Sequence, residues 1–432
     1  MPHCLSRRSR LLSRPCFLFY LFIALLGPRF AARAQAPLPA AFDTTGGRYY
    51  QPVFAQVTRT NGVIFGSATN FQGQRQTLRF DFYEPTGDTV ARRPLLVFAH
   101  EGGFVGGTRD DQFITDFAPR MARLGYCVAS IDYRLLFFPF DTTNLATAAF
   151  RAMQDMRGAI RFFRADAAGA NQYRIAPGFI VVAGASAGAV TALQTAYLDR
   201  QSEIPANLLA NAAALGGLEG TSGPAGFSSR PQATVSLCGA MGQPRWLEAG
   251  DAPVGFVHGT ADAVVPYGRG TAGGGLPPLR AYGPGVLAPR AVAIGVPHVL
   301  KTLLGAPHVP FNGTSPRARA YADTTFWTVR DFLRPLTGTA APLALAPAGA
   351  IPTATATAWP VPAPDAVRLR WATGRAPFRP TDAELVEAAT GRVVRRFRWT
   401  EAEHTLPRAN LPAGSYVVRA AGTAVRVVFG GE

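Results

Sequence analysis

Six short runs, at 94–99, 126–132, 179–184, 234–239, 254–258 and 298–304, are almost wholly apolar and five to seven residues long. They show no polar alternation, so each reads as a strand buried on both faces, the pattern of a parallel sheet. Amphipathic stretches lie between them. The one at 146–166 places Phe150, Met153, Met156, Ile160 and Phe163 at helical spacing, which predicts a core-facing stripe. Residues 187–199 and 321–333 read the same way. Strand–helix repeats of this kind predict an α/β domain over 35–337, with a mostly parallel, doubly wound sheet and helices on both faces. Ahead of the series, runs at 54–58 and 62–67 flank Asn61-Gly62 and predict a hairpin, followed by a strand at 77–83.

The two ends differ from this core. Residues 1–34 carry six arginines and no acid, an apolar run at 16–26, and then Ala32-Arg33-Ala34. That order predicts a secretory signal peptide, with an uncleaved anchor as the alternative. Residues 338–358 are mostly Ala, Pro and Thr and read as a linker. Beyond it, short runs at 367–371, 383–388, 393–399, 415–420 and 424–429 are divided by turn residues and predict a small all-β sandwich over 359–432.

The formal charge of +16 invites a nucleic-acid reading. Lys301 is the single lysine against 42 arginines, and no arginine cluster interleaves with stacking aromatics. The charge therefore reads as a bias of the whole sequence, and no nucleic-acid partner is expected. Of four cysteines, Cys127 and Cys238 remain after the leader. Both sit in apolar strand runs and are expected to be buried thiols rather than staples.

Gly184-Ala-Ser-Ala-Gly188 joins the run at 179–184 to the helical stretch beginning at 187. A sharp strand-to-helix turn needs glycine at both flanks and lifts the Ser186 hydroxyl to the edge of the sheet. A hydroxyl needs a base to become a nucleophile. In open α/β sheets, sites gather at the carboxyl ends of strands. His298 begins its strand and His308 lies just past the same strand's end, which selects His308. By the same argument Asp262, after the strand at 254–258, is selected over Asp251, which precedes it. Asp262 would hold the imidazole in the right tautomer. His100-Glu-Gly-Gly-Phe104 follows the first buried strand, and its glycines let backbone N–H groups approach a developing negative charge. The expected oxyanion donors are Gly102, Gly103 and Ala187.

With the chain order Ser186, Asp262, His308, these residues resemble an α/β-hydrolase of the carboxylesterase class. His100-Glu-Gly-Gly-Phe104 is similar to the HGGGF loop of type-B carboxylesterases and their bacterial feruloyl and acetyl-xylan esterase-like relatives. Gly125-Tyr126, Asp132-Tyr-Arg-Leu135, Gln154-Asp-Met-Arg157, Ile160-Arg-Phe162 and Ser186-Ala-Gly-Ala189 extend the likeness over residues 80–333. In that loop type the third and fourth positions donate to the oxyanion, which falls on Gly102 and Gly103. Glu101 stands where a glycine is usual, and its carboxylate is expected to point away or be paired, because a negative charge there would oppose catalysis. Residues 358–432 resemble the C-terminal sorting domain of type IX secretion substrates through Trp359-Pro-Val-Pro-Ala363, Ala389-Thr-Gly-Arg392 and Leu411-Pro-Ala-Gly-Ser-Tyr-Val-Val-Arg419. Val361 replaces the usual Asn. A carbohydrate-binding sandwich, with Trp359, Trp371 and Trp399 as a platform, is the alternative.

The sequence thus predicts a secreted serine esterase that needs no cofactor and no metal. Its expected partners are a small ester, acylated polysaccharide among the candidates, and the secretion machinery. A peptidase or amidase with the same triad, or a non-catalytic surface-binding protein, are the other readings. Phe104 is placed in the substrate pocket. Phe137, Phe138 and Phe140 either wall that pocket or pack under the sheet edge.

Overall fold

The computed structural model describes residues 42–338, 354–359, 365–373, 381–387, 393–401, 403–420 and 423–429. The expected signal peptide lies outside these residues, as does most of the expected linker.

The first region is built on eight strands: β1 (Val57–Thr69), β2 (Arg75–Pro85), β3 (Arg93–Ala99), β4 (Cys127–Ile131), β5 (Ile175–Ala185), β6 (Ala233–Leu237), β7 (Val254–Gly259) and β10 (His298–Leu303). Between β7 and β10 a small antiparallel hairpin is formed by β8 (Arg269–Ala272) and β9 (Leu279–Tyr282). The main sheet runs β1-β2-β4-β3-β5-β6-β7-β10. β2 is antiparallel to both β1 and β4, and every later pairing is parallel. The helices are α1 (Gln112–Arg123), α2 (Thr142–Ala168), α3 (Ala187–Tyr197), the single turn α4 (Ala206–Leu209), α5 (Pro284–Ile294) and α6 (Pro316–Leu333).

Side-chain alternation along the strands makes two cores. Leu96, Phe98, Val128, Val181 and Val235 face one way and pack on Phe113 and Phe117 of α1 and Phe326 and Phe332 of α6. Leu95, Val97, Ala129, Ile180 and Val182 face the other way and pack on Met156, Ile160 and Phe163 of α2. A sheet apolar on both faces must be covered on both. This strand order and layering are those of the α/β-hydrolase fold. No described helix is long and apolar enough to cross a membrane.

The expected hairpin at Asn61-Gly62 does not form. β1 runs straight through it as one strand. Two residues of β1, Asn61 and Gly62, face the single Asp81 of β2 between the pairs Thr60↔Phe82 and Val63↔Phe80. This is a β-bulge, and Gly62 takes its left-handed position at φ 67°. The Asp81 carboxylate secures it, accepting from the Gly62 N–H at 2.7 Å and from Arg59 and Arg109.

The C-terminal region is all-β. β11 (Ala354–Trp359), β12 (Ala366–Thr373) and β15 (Glu403–Pro407) form one sheet; β14 (Val393–Trp399), β13 (Thr381–Glu387), β16 (Gly414–Ala420) and β17 (Thr423–Phe429) form the other. Val367, Leu369 and Leu406 of the first share a core with Leu385, Tyr416, Val427 and Phe429 of the second. Strand β11 occupies 354–358, which the sequence reading places in the linker. Trp399 is fully buried in this core and offers no face to a sugar.

Candidate active site

The junction of β5 and α3 explains the two glycines around Ser186. A Cβ on Gly184 would lie 2.3 Å from the Gly188 backbone, and one on Gly188 would lie 2.0 Å from the Ala99 carbonyl oxygen. No side chain fits at either position. Ser186 itself sits at φ 50°, ψ −117°, a strained conformation for an L-residue. Its N–H donates to the Leu237 carbonyl of β6 at 2.9 Å, which ties the turn to the sheet.

Three side chains separated in the chain meet above this turn. Ser186 Oγ lies 2.8 Å from His308 Nε2. His308 Nδ1 lies 2.7 Å from Asp262 Oδ2. A carboxylate only accepts, so Nδ1 carries the ring hydrogen and Nε2 is left to accept the serine proton. Asp262 and His308 come from the loops after β7 and β10, which pair in parallel and therefore end side by side. The rejected candidates lie at the other end of these strands, where His298 Nδ1 meets the Val296 carbonyl.

The Asp262 carboxyl is buried, which by itself pushes its pKa up. Hydrogen bonds from His258 and His308 and from the N–H groups of Val264 and Val265 overcome this and hold it well below the usual carboxylate range. His258, unassigned by the sequence reading, ends β7. Its Nε2 lies 3.0 Å from the Val265 carbonyl and 3.1 Å from Asp262 Oδ2. Both partners are acceptors, so Nε2 carries the hydrogen and donates. The signal for this residue is its place four residues before the acid, across a tight turn at the chemical end of the strand.

The loop after β3 is built to hold its shape. His100 Nδ1 donates to the Glu101 carbonyl at 2.7 Å. The imidazole stacks on the Tyr133 ring at 4.2 Å between centroids, and the Tyr133 hydroxyl donates to the His100 carbonyl at 2.9 Å. Gly102, Gly103 and Phe104 all have positive φ, at 116°, 61° and 67°. Gly103 and Ala187 line the same cavity as Ser186, and Gly102 does not. A Cβ on Gly102 would meet the Gly106 carbonyl oxygen at 2.2 Å, so that glycine lets the loop close on itself.

The Glu101 carboxylate is paired. Its Oε1 accepts from Asn312 Nδ2, four residues past His308. Burial raises its pKa and Asp111 adds to this, while His308 and Asn312 oppose it. Cys238 lies close to the acid and base. Its sulfur, an Asp262 oxygen and a His308 nitrogen lie within 4.8 Å of one another. Burial pushes the thiol up to about 12, and Asp262 and His308 are already committed to each other, so the trio does not suit a metal. Cys127 is likewise a buried free thiol.

Ser186 opens on a cavity of about 620 Å³ walled by Phe104, Leu145, Phe150, Ile204, Leu208 and Trp246 among others. Of the four phenylalanines assigned to a pocket, Phe104 alone lines it. Phe137, Phe138 and Phe140 are instead 67%, 72% and 49% exposed. They sit on the segment between β4 and α2 and are neither cavity wall nor packed under the sheet.

A family model described as BD-FAE matches residues 80–217, less than half of the chain. That segment, which holds the glycine loop and Ser186, is similar to an esterase-like α/β-hydrolase domain. Among solved structures, esterase 2 of the planctomycete Thermogutta terrifontis with bound propionate is similar at 20% identity and a TM-score of 0.46, covering 71% of this chain and 98% of that one. The same esterase phosphoramylated by tabun gives 20% and 0.47, covering 67% and 97%. A truncated carbohydrate esterase from gut microbiota gives 16% and 0.46, covering 66% and 98%. No curated protein sequence matches the chain.

Proposed function

We propose that the protein is a serine hydrolase of carboxylic esters. The observation that carries this reading is the continuous hydrogen-bonded line from Ser186 Oγ through His308 to Asp262 at the mouth of an apolar cavity. Ser186 Oγ attacks the ester carbonyl carbon while its proton passes to His308 Nε2. The carbonyl oxygen becomes an oxyanion held by the N–H groups of Gly102, Gly103 and Ala187. The carbon–oxygen bond to the alcohol then breaks, and the imidazolium returns its proton to the leaving oxygen. Asp262 stabilises that imidazolium in between. Water repeats the cycle on the acyl-enzyme, delivering its proton through His308 and releasing the acid. Every step uses groups of the chain and water.

The test is hydrolysis of p-nitrophenyl esters by the wild type and Ser186→Ala. Loss of the nucleophile should lower kcat by about 10⁴-fold or more; equal rates for the two proteins would remove the assignment.

The reading extends to export, supported by the Arg-rich leader ending Ala32-Arg33-Ala34 and by the sorting-type motifs of residues 359–432. Protein recovered from the medium of an expressing type IX secretor should begin at Gln35. Recovery only from the cytoplasm, with Met1 retained, would reject this part.

A further inference from the structure

Resting on the ester-hydrolase reading, we infer that the substrates are esters whose acyl group is a long apolar chain of about eight carbons or more, held in the cavity beside Ser186.

The argument begins with which half of the ester the cavity receives. His308 Nε2 must return a proton to the leaving oxygen, so the alcohol has to lie against His308. Among the described residues, the cavity wall includes Ser186, Gly103 and Ala187, and none of those lining it lies beyond Ala281, so neither His308 nor its loop contributes. The cavity thus extends from Ser186 along walls that His308 does not share, and the group it is placed to receive is the one left on Ser186 Oγ after the alcohol departs.

Its size and chemistry then select the chain. At about 30 Å³ for a water-sized group, 620 Å³ holds on the order of twenty such groups, far beyond an acetyl. The wall is mainly aliphatic and aromatic. Its Glu203 carboxylate is already taken by the N–H groups of Asp199 and Arg200, and Arg245 and Arg280 are solvent-exposed. The other polar side chains of the wall are Gln194 and Gln243, half-buried, and Ser202 and Asn207, exposed. Against a wall that is mainly apolar, a polar acyl group would lose more water contacts than these four can replace, whereas each buried methylene is favourable.

The approach has the same character. The exposed Phe137, Phe138 and Phe140 lie in the chain between Leu136, whose N–H donates to the Phe104 carbonyl at 2.7 Å, and Leu145 on the cavity wall. This stretch of chain, tied to Phe104 at one end and continuing to Leu145 at the other, therefore presents apolar side chains to solvent.

The experiment is a p-nitrophenyl series from acetate to dodecanoate, each below its solubility limit, with the wild type, Val190→Trp and Leu209→Trp. Both substitutions add bulk at residues of the wall, and Leu209 is half exposed and tolerant of change. With an upper bound of about fourfold per buried methylene, wild-type kcat/KM for octanoate should exceed that for acetate by tenfold or more. Each variant should lower that ratio at least threefold. Acetate hydrolysed as well as octanoate by the wild type overturns the inference while leaving the esterase reading intact. So do unchanged ratios in variants that melt like the wild type. Should both variants fail to fold, the wild-type series decides alone. Ser186→Ala reports on the esterase reading separately, because its failure would show on every chain length.

Discussion

The two ends of β7 and β10 carry the same pair of residue types. Asp251 and His298 stand at the start of these strands, Asp262 and His308 at their finish. Their surroundings separate them. Asp262 is surrounded by donors: His258, His308 and two backbone N–H groups. Asp251 accepts from the Glu248 N–H, and burial, with Asp199 nearby, pushes its carboxyl up to about 7. A buried carboxyl surrounded by N–H groups stays an anion; one facing another acid holds its proton. What makes one end of the sheet chemical is therefore the set of donors that its loops and strand ends direct at the acid.

Substitutions at both ends sharpen this contrast. Asp262→Asn leaves the shape but no longer fixes the His308 tautomer, and kcat should fall by about 10⁴-fold on p-nitrophenyl octanoate. A loss under tenfold would mean that Asp262 is not the orienting acid. His258→Phe removes one of the donors to Asp262 while keeping an aromatic ring. It should lower kcat by about tenfold, with KM little changed and the lower limb of the kcat–pH profile displaced. A change in KM alone would assign His258 to packing.

The smallest effect on activity belongs to the other end. Asp251→Asn should leave kcat/KM within twofold, and its mark should be on stability. The folded-state pKa lies above the unfolded value of 3.8, so the proton favours folding. That contribution is complete below about pH 4 and is lost as pH rises to about 7 and beyond. Thermal melts between pH 4 and 8 should show the wild type losing about 2 kcal/mol more than Asp251→Asn over this window, after allowance for partial exposure. Parallel profiles would show that Asp251 ionises normally.

The same physical distinction decides how much was legible in the sequence. The buried strands and the long helix α2 stood out because period and apolarity are local properties. The Ser186, Asp262 and His308 positions were legible because a parallel sheet aligns its strand ends, so order along the chain predicts proximity. Helices α1 and α5 carry Pro119 and Pro289 inside them, residues that read as breakers in a linear string. Asn61-Gly62 has the composition of a two-residue turn, but the Asp81 anchor that converts it to a bulge lies 19 residues away. Phe137, Phe138 and Phe140 read as either pocket wall or packing under the sheet edge, because apolar side chains usually find cover, and only the three-dimensional path shows them facing solvent. The pairing of Glu101 with Asn312 spans 211 positions, beyond any local pattern.

The conformation of Ser186 carries a price of its own. Holding a serine at φ 50° between two glycines that admit no Cβ costs on the order of 1 kcal/mol, which the native state gives up at the position proposed as the nucleophile. Glycine would sit there unstrained. Calorimetry should therefore find Ser186→Gly melting above Ser186→Ala, two proteins that both lack the hydroxyl and differ in how comfortably the chain turns. A reversed order would show that the turn is at ease with a side chain.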